Sequence, residues 1–229
     1  LAFDVEGVFE KDPLYLEFYK DSSFKNLRKG KTLFPSRSLR TEFSYYKNSE
    51  KKTIAHGLAK EFSEDGKLLA QGMYLQGSKS GLWVLFSPRG YTIAYYHYNK
   101  LHGSWKRFSN NDILLEEKSY SQGFLHGENK SFFLNGSLAN SVSYLKGKKI
   151  GLEEAWYENT NKALEQNWIQ GKRHGSTTAW STENQLIYTG SYFHDIPQGQ
   201  WRWFDGQGSL LYQSIIKKGR EFDFKYFDS

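Results

Sequence analysis

Histidine is the residue type whose placement most invites a chemical reading. His56, His102, His126 and His174 each stand immediately before a glycine, four of the six histidines in one column. Imidazoles repeated at fixed spacing would suit a row of metal sites. If each of those glycines opens one β-hairpin, however, equivalent histidines lie two strands apart, about 9 to 10 Å, too far for one ion to bridge neighbouring rings. A structural role is therefore expected, and no metal. Carboxylates follow the same logic: Glu61, Glu64, Asp65, Glu116, Glu117, Glu153, Glu154 and Glu158 are spread as solvated strand and turn positions would be. No nucleophile elbow, phosphate loop or paired-histidine zinc motif is present. The expectation is a binding protein and not an enzyme, with no catalytic residue, no cofactor and no small-molecule substrate.

The elements that would carry such residues are set by an internal repeat. Glycines recur at Gly57, Gly81, Gly103, Gly127, Gly151, Gly175 and Gly199, at intervals of 24 residues with a single interval of 22. Five residues after each stands an aromatic: Phe62, Phe86, Phe108, Phe132, Trp156, Trp180 and Phe204. Seventeen residues after each comes a second large column, Tyr74, Tyr98, Tyr120, Tyr144, Trp168, Tyr192 and Ile216. Between the columns lie turn signals such as Asp65-Gly66, Arg89-Gly90, Asn111-Asp112 and Asn135-Gly136, suited to tight reversals with φ > 0. A further glycine at Gly77, Gly123, Gly147, Gly171 and Gly219 marks a connector to the next unit. The short interval is expected to lose its two residues in that connector, between Tyr98 and Gly103, where a deletion costs least.

Each unit thus reads as a hairpin plus a connector, and seven of them predict an all-β, elongated, twisted, single-layer antiparallel meander, open at its ends. About fourteen strands at about 4.8 Å would span roughly 65 Å. Composition agrees: aromatics make up 17% of the 229 residues against one Met and no Cys, a core chemistry that favours pleated sheet. The absence of Cys removes disulfides and thiolate metal sites. No apolar run approaches the roughly 20 residues of a membrane-spanning helix. The start at Leu1 without a Met fits either a shortened chain or the trimming of an export or lipoprotein signal, so localisation stays open, with an exported or envelope-associated place slightly favoured over a cytoplasmic one.

Two surfaces follow from the columns. Cations at Lys79, Lys100, Lys148, Lys149, Lys172, Arg173, Lys217 and Lys218 gather at the connector end, opposite acids such as Glu64, Asp65, Asp112, Glu158, Glu183 and Asp205 at the turn end. Stacked units would make this a basic edge facing acidic partners, including anionic lipid. The formal charge of +6 and pI near 9.2 add a mild bias in the same direction. Nucleic acid is not expected, because the basic residues are interleaved with acids. The position two residues after the marker glycine, occupied by Trp83, Trp105 and Trp201, should point away from the face of the aromatic column. These three tryptophans are the candidate anchors for a partner.

The pattern Tyr-x-x-Gly-Lys-x-x-Gly-x-x-x-x-aromatic, seen from Tyr144 through Gly147, Lys148 and Gly151 to Trp156, resembles the MORN repeat in its bacterial variant form; Trp168, Gly171, Lys172 and Gly175 repeat it. The resemblance covers roughly residues 44–220. It departs from eukaryotic MORN units, which carry another glycine two residues after the marker, where this chain has Trp83, Trp105 and Trp201, or Ala59, Asn129, Glu153 and Thr177. The resemblance implies an open-ended sheet serving as a scaffold for protein or membrane contacts, and the antitoxin label borne by bacterial variants comes with it. Choline-binding repeats of the cell wall are similar in length and aromatic content, but their Trp-Tyr-Tyr triplets are absent here.

Residues 1–43 precede the repeats and are too aromatic for a disordered tail, with Phe3, Phe9, Tyr15, Phe18, Tyr19, Phe24 and Phe34. They are expected to pack on the sheet or cap its first edge, with 44–220 the repeat array and 221–229 a closing strand. The expected partner is another protein. An anionic membrane or cell envelope reached through the basic edge, and cell-wall carbohydrate reached through stacked aromatics, are the alternatives.

Overall fold

The marker glycines set the local geometry: all seven lie in the left-handed region, with φ between 67° and 97°. The same strands carry register shifts against the preceding strand there, as between Gly72 and Met73, Gln166 and Trp168, and Thr189 and Ser191. A side chain in that conformation costs about 1–2 kcal/mol, which is why the column is glycine throughout.

The computed structural model describes Phe9 and residues 26–227. Two compact units divide the chain, residues 1–114 with 119–124 and residues 115–118 with 125–229. The first holds β1 (Arg28–Leu33), β2 (Leu39–Lys47), β3 (Thr53–Phe62), β4 (Leu68–Leu75), β5 (Ser78–Ser87), β6 (Gly90–His97) and β7 (Lys100–Ser109). The chain passes through β8 (Leu114–Ser121) and the short β9 (Phe124–Leu125). The second unit continues with β10 (Gly127–Phe132), β11 (Leu138–Leu145), β12 (Lys148–Trp156), β13 (Lys162–Ile169) and β14 (Lys172–Trp180). It ends with β15 (Leu186–Phe193), β16 (Ile196–Phe204), β17 (Leu210–Lys217) and β18 (Arg220–Tyr226). Within each unit, consecutive strands pair antiparallel in chain order, the meander that the repeat predicts.

The connectors are two-residue turns with both residues at positive φ: Gln76-Gly77, Tyr98-Asn99, Gln122-Gly123, Lys146-Gly147, Gln170-Gly171, His194-Asp195 and Lys218-Gly219. This mirror-image turn matches the twist of the flanking strands. Asn99 and Asp195 replace glycine because their short polar side chains tolerate that conformation. The second connector residue also donates its N–H to the carbonyl two residues before the preceding marker glycine. Gly77 to Ala55, Gly147 to Leu125 and Gly171 to Lys149 are each 2.8 Å. These bonds knit each hairpin to the one before it.

The location of the two-residue deletion is corrected by this register. Gly57 faces Tyr74 and Gly127 faces Tyr144, but Gly81 faces Tyr96 and not Tyr98. The missing residues therefore come from the hairpin turn: Ser87 pairs directly with Gly90 around Pro88-Arg89, where other hairpins use a longer loop closed by bonds such as Ser63 N–H to Lys67 O at 2.8 Å. Proline's fixed φ suits the first corner of a tight turn. Tyr98 lies instead in a connector, 49% exposed.

One more hairpin than the glycines mark is present, because β1 and β2 pair in the same manner as β3 and β4, with a register shift at the last pair of each. The boundary expected at residue 43 accordingly falls inside β2. Of the residues before it, 1–8 and 10–25 lie outside the described set; Phe9 is fully buried against Leu82, Val84 and Tyr91, with Phe86, Ile93, Tyr95 and Phe108 around it. On the other face of β5, Trp83 packs with Ala59 and Ala70. The first unit therefore buries both faces of one sheet layer. Replacing Phe9 by Ala should cost about 3–5 kcal/mol, read as a lower denaturant midpoint with the emission of the buried Trp83 as reporter.

Candidate binding surfaces

Residues directly opposite one another in a sheet share a face, so the register traces one row across each unit. In the first the row runs Gly30, Phe43, Ala59, Gly72, Trp83, Ala94, Trp105, each large residue having only small ones beside it. In the second, Asn129 faces Val142, Glu153 faces Gln166, Gln166 faces Thr177, Thr177 faces Gly190, and Trp201 faces Ser214. Most of this row is buried, Glu153 at 8% exposure and Thr177 at 1%.

The row corrects the tryptophan expectation. Trp83 is 0% exposed and Trp201 5%, so neither is an exposed anchor. The reason is a glycine on the neighbouring strand. A Cβ on Gly72 would stand 2.1 Å from Trp83 Cδ2, and one on Gly190 2.2 Å from Trp201 Cδ2, so each indole lies flat where a side chain would otherwise rise. Trp83 also donates its indole N–H to Met73 O at 3.0 Å and meets Tyr74 edge-on at 5.2 Å. Trp105 faces Ala94, which has a Cβ, and remains half-buried.

The basic edge divides in two. Lys79 sits 4.0 Å over the Trp83 ring and 3.2 Å from Glu61, and Arg173 sits 4.1 Å over Tyr192 and 3.3 Å from Asp195. Lys149 lies 4.5 Å over Trp168 and bonds both Glu153 oxygens at 2.7 and 2.8 Å. Trp168 Nε1 at 2.8 Å and Asn140 Nδ2 at 3.2 Å complete the shell of that buried carboxylate. These three cations are each paired with a carboxylate of their own unit, and for the buried Glu153 such a partner is a requirement. Lys217 lies over the Phe222 ring at 3.8 Å. Lys100, Lys148, Lys172 and Lys218 are exposed. The split follows strand alternation: Lys148 and Lys149, or Lys172 and Arg173, are neighbours that point to opposite faces.

The histidines take part in the connectors. His56 Nδ1 accepts the Gln76 N–H at 3.3 Å and His102 Nδ1 that of Gln122 at 3.4 Å. His174 instead packs on Phe193 and His194, each 5.0 Å between ring centroids. A cleft of about 460 Å³ lies by β1–β3, lined by Gly30, Phe43, Leu58, Ala59 and three lysines, and includes none of the residues singled out in the sequence.

A surface that the sequence reading missed lies beside the cations. Leu145, Ile169 and Phe193 occupy the same place in three consecutive units and are 48%, 47% and 51% exposed. Each directly follows a residue of the second large column, Tyr144, Trp168 or Tyr192, so alternation alone sends it to the opposite face, a signal present in the sequence.

Two measurements test the packing. Gly72→Ala should destabilise by about 1–3 kcal/mol or more through overpacking, with a red shift of tryptophan emission as the Trp83 indole is displaced. Tyr74 is raised from 10.0 to about 12, by burial first and then by the Glu61 carboxylate. Between those values the unfolded chain gives up this proton while the folded chain keeps it, so stability is full below pH 10 and falls as pH rises through the window. Tyr74→Phe should flatten that alkaline slope, read from urea midpoints between pH 9 and 12.

Comparison with known proteins bears on the repeat alone. No curated protein matches the chain. Among solved structures it is similar to S. aureus TarM, at 14% identity over 71% of this chain and 24% of that one with a TM-score of 0.23. A mutant of the same protein in complex with Fondaparinux, alpha-GlcNAc-glycerol and UDP gives 12% identity over 72% and 24%, TM-score 0.24. The chain thus spans about a quarter of TarM, and similarity at this level defines neither fold nor function. The family model described as MORN repeat variant matches residues 55–76 and 125–146. Both matches begin two residues before a marker glycine and end on the first residue of a connector, so they report one structural unit in one phase. Residues 55–76 and 125–146 are MORN-variant repeats, and the marker glycine and its hairpin recur in the units between and beyond them.

Proposed function

We propose that the chain is a non-enzymatic scaffold that binds another protein along the connector edge of its second unit. The observation that carries this reading is the repeated exposure of Leu145, Ile169 and Phe193. Leu145 faces the exposed Lys148 across its hairpin-to-hairpin turn and Ile169 faces the exposed Lys172, while Phe193 faces the exposed Ile196 and extends the apolar strip. Successive units place the apolar groups about 9 to 10 Å apart, two strand spacings. A ladder of isolated apolar contacts bordered by cations is complementary to a partner with apolar residues set among carboxylates. The buried tryptophans serve the fold, and the anchors are the three exposed apolar side chains.

A second reading, peripheral attachment to an anionic membrane, is favoured by the exposed lysines of the same strip, Lys146, Lys148, Lys172 and Lys218. Each well-placed cation would contribute about 1 kcal/mol. The triple variant Leu145→Glu, Ile169→Glu, Phe193→Glu separates these readings from a purely structural strip, because exposed substitutions should leave stability within about 0.5 kcal/mol. Affinity capture from native extract should recover a stoichiometric partner with the wild-type chain and lose it with the variant. Equal recovery by both, or no partner at all, would overturn the protein reading. Co-sedimentation with phosphatidylserine vesicles at low salt, abolished at high salt, would place the membrane first.

A further inference from the structure

Three polar atoms along the row of the second unit are buried without a hydrogen-bond partner: Trp201 Nε1 and Ser214 Oγ on facing residues, and Thr177 Oγ1 two strands from Trp201, across Gly190. Their residues are 5%, 1% and 1% exposed. Thr177 faces Gly190, the Trp201 indole lies on Gly190, and Trp201 faces Ser214. An unsatisfied buried polar group is costly, and three along one row are not a general property of this glycine seat. Trp83, on the equivalent seat at Gly72, has its N–H satisfied by Met73 O at 3.0 Å.

Around these atoms the rings form a continuous platform. Trp201 stacks against Trp203 at 5.7 Å and 25°, Trp203 meets Tyr212 at 4.9 Å, and Tyr212 meets Tyr226 at 4.7 Å. The outermost rings are open, Tyr226 at 70% and Phe224 at 59% exposure, and Phe224 stands directly opposite Ser214. The polar atoms are themselves closed to solvent, so a ligand that reaches Ser214 must displace the Phe224 side chain opposite it.

We infer that this platform is a binding site for a neutral oligosaccharide. Flat rings receive the C–H face of a pyranose, and the rim hydroxyls of the sugar can both accept from the indole N–H and exchange hydrogen bonds with the two side-chain hydroxyls. Thr177, Trp201, Trp203, Tyr212, Ser214 and Tyr226 are all uncharged, which selects a neutral sugar over an anionic one. Trp201 and Ser214 stand one strand spacing apart, about 4.8 Å, and Thr177 two spacings from Trp201, so the polar atoms call for hydroxyls spread along a chain of linked rings and not on a single one. The site is separate from the connector strip, and neither reading depends on the other.

The intact chain is titrated with chitotetraose, cellotetraose and maltotetraose, followed by tryptophan fluorescence and calorimetry, with a decaproline peptide as competitor. At least one oligosaccharide should saturate with a Kd of about 0.1 to 1 mM. Tyr226→Ala, at an exposed position that leaves folding intact, should weaken that binding about tenfold. Ser214→Ala should weaken it several-fold while raising the thermal midpoint of the free protein, because it deletes an unsatisfied buried atom. The triple connector variant should bind sugar as the wild type does. No saturation by any of the three sugars up to about 10 mM, unchanged binding in both Tyr226→Ala and Ser214→Ala, or binding of decaproline in place of sugar would each overturn the assignment.

Discussion

Everything regular in this molecule depends on one backbone constraint, the left-handed conformation of the residue that opens each hairpin. At φ between 67° and 97° the marker glycine shifts the strand against its predecessor while leaving the ladder to its own hairpin partner intact. The position two residues later then falls opposite the same row in every unit. Without that bend the columns would lose their alignment across hairpins, because a slip of one residue sends every side chain to the other face. The two-residue connector turns have the same handedness and carry the bonds that tie each unit to the last.

With alignment fixed, the row becomes the place where units differ. In the first unit, glycine and alanine stand beside Phe43, Trp83 and Trp105, and the large rings fill the space the small residues leave. In the second, Glu153, Gln166 and Thr177 take the same positions, and a buried carboxylate is tolerated because Lys149, Trp168 and Asn140 converge on it. The opposite face differs too: Leu82, Val84 and Tyr91 of the first unit are covered by Phe9, whereas Leu152, Ile187 and Ile215 of the second are 43%, 40% and 38% exposed. The fold needs one buried face per unit, which leaves the other available to a cover or a partner.

Charge and aromatic surface are coupled in the same way. A cation over the ring of Trp83, Trp168 or Tyr192 gains from the ring's negative face and from a carboxylate beside it, so three of the eight cations of the basic edge are committed to structure. What remains outward is the alternate set, Lys148 and Lys172 with Leu145 and Ile169 opposite.

The unit, its phase and its hairpin character are legible from residue types alone, because a glycine at positive φ and a turn dipeptide are local requirements that each residue type meets or fails on its own. The sequence likewise shows which neighbours point apart, as for Lys148 and Lys149. It did not determine where the short unit lost its residues: Tyr98 and Tyr96 are equally good column members by type, and only the pairing of Gly81 with Tyr96 puts the deletion at Pro88-Arg89. Nor did it show that Trp83 and Trp201 are buried, since the glycines that seat their indoles lie 11 residues earlier, on another strand. Burial of a residue in a sheet is a property of what stands opposite and beside it, and those neighbours are chosen by tertiary pairing.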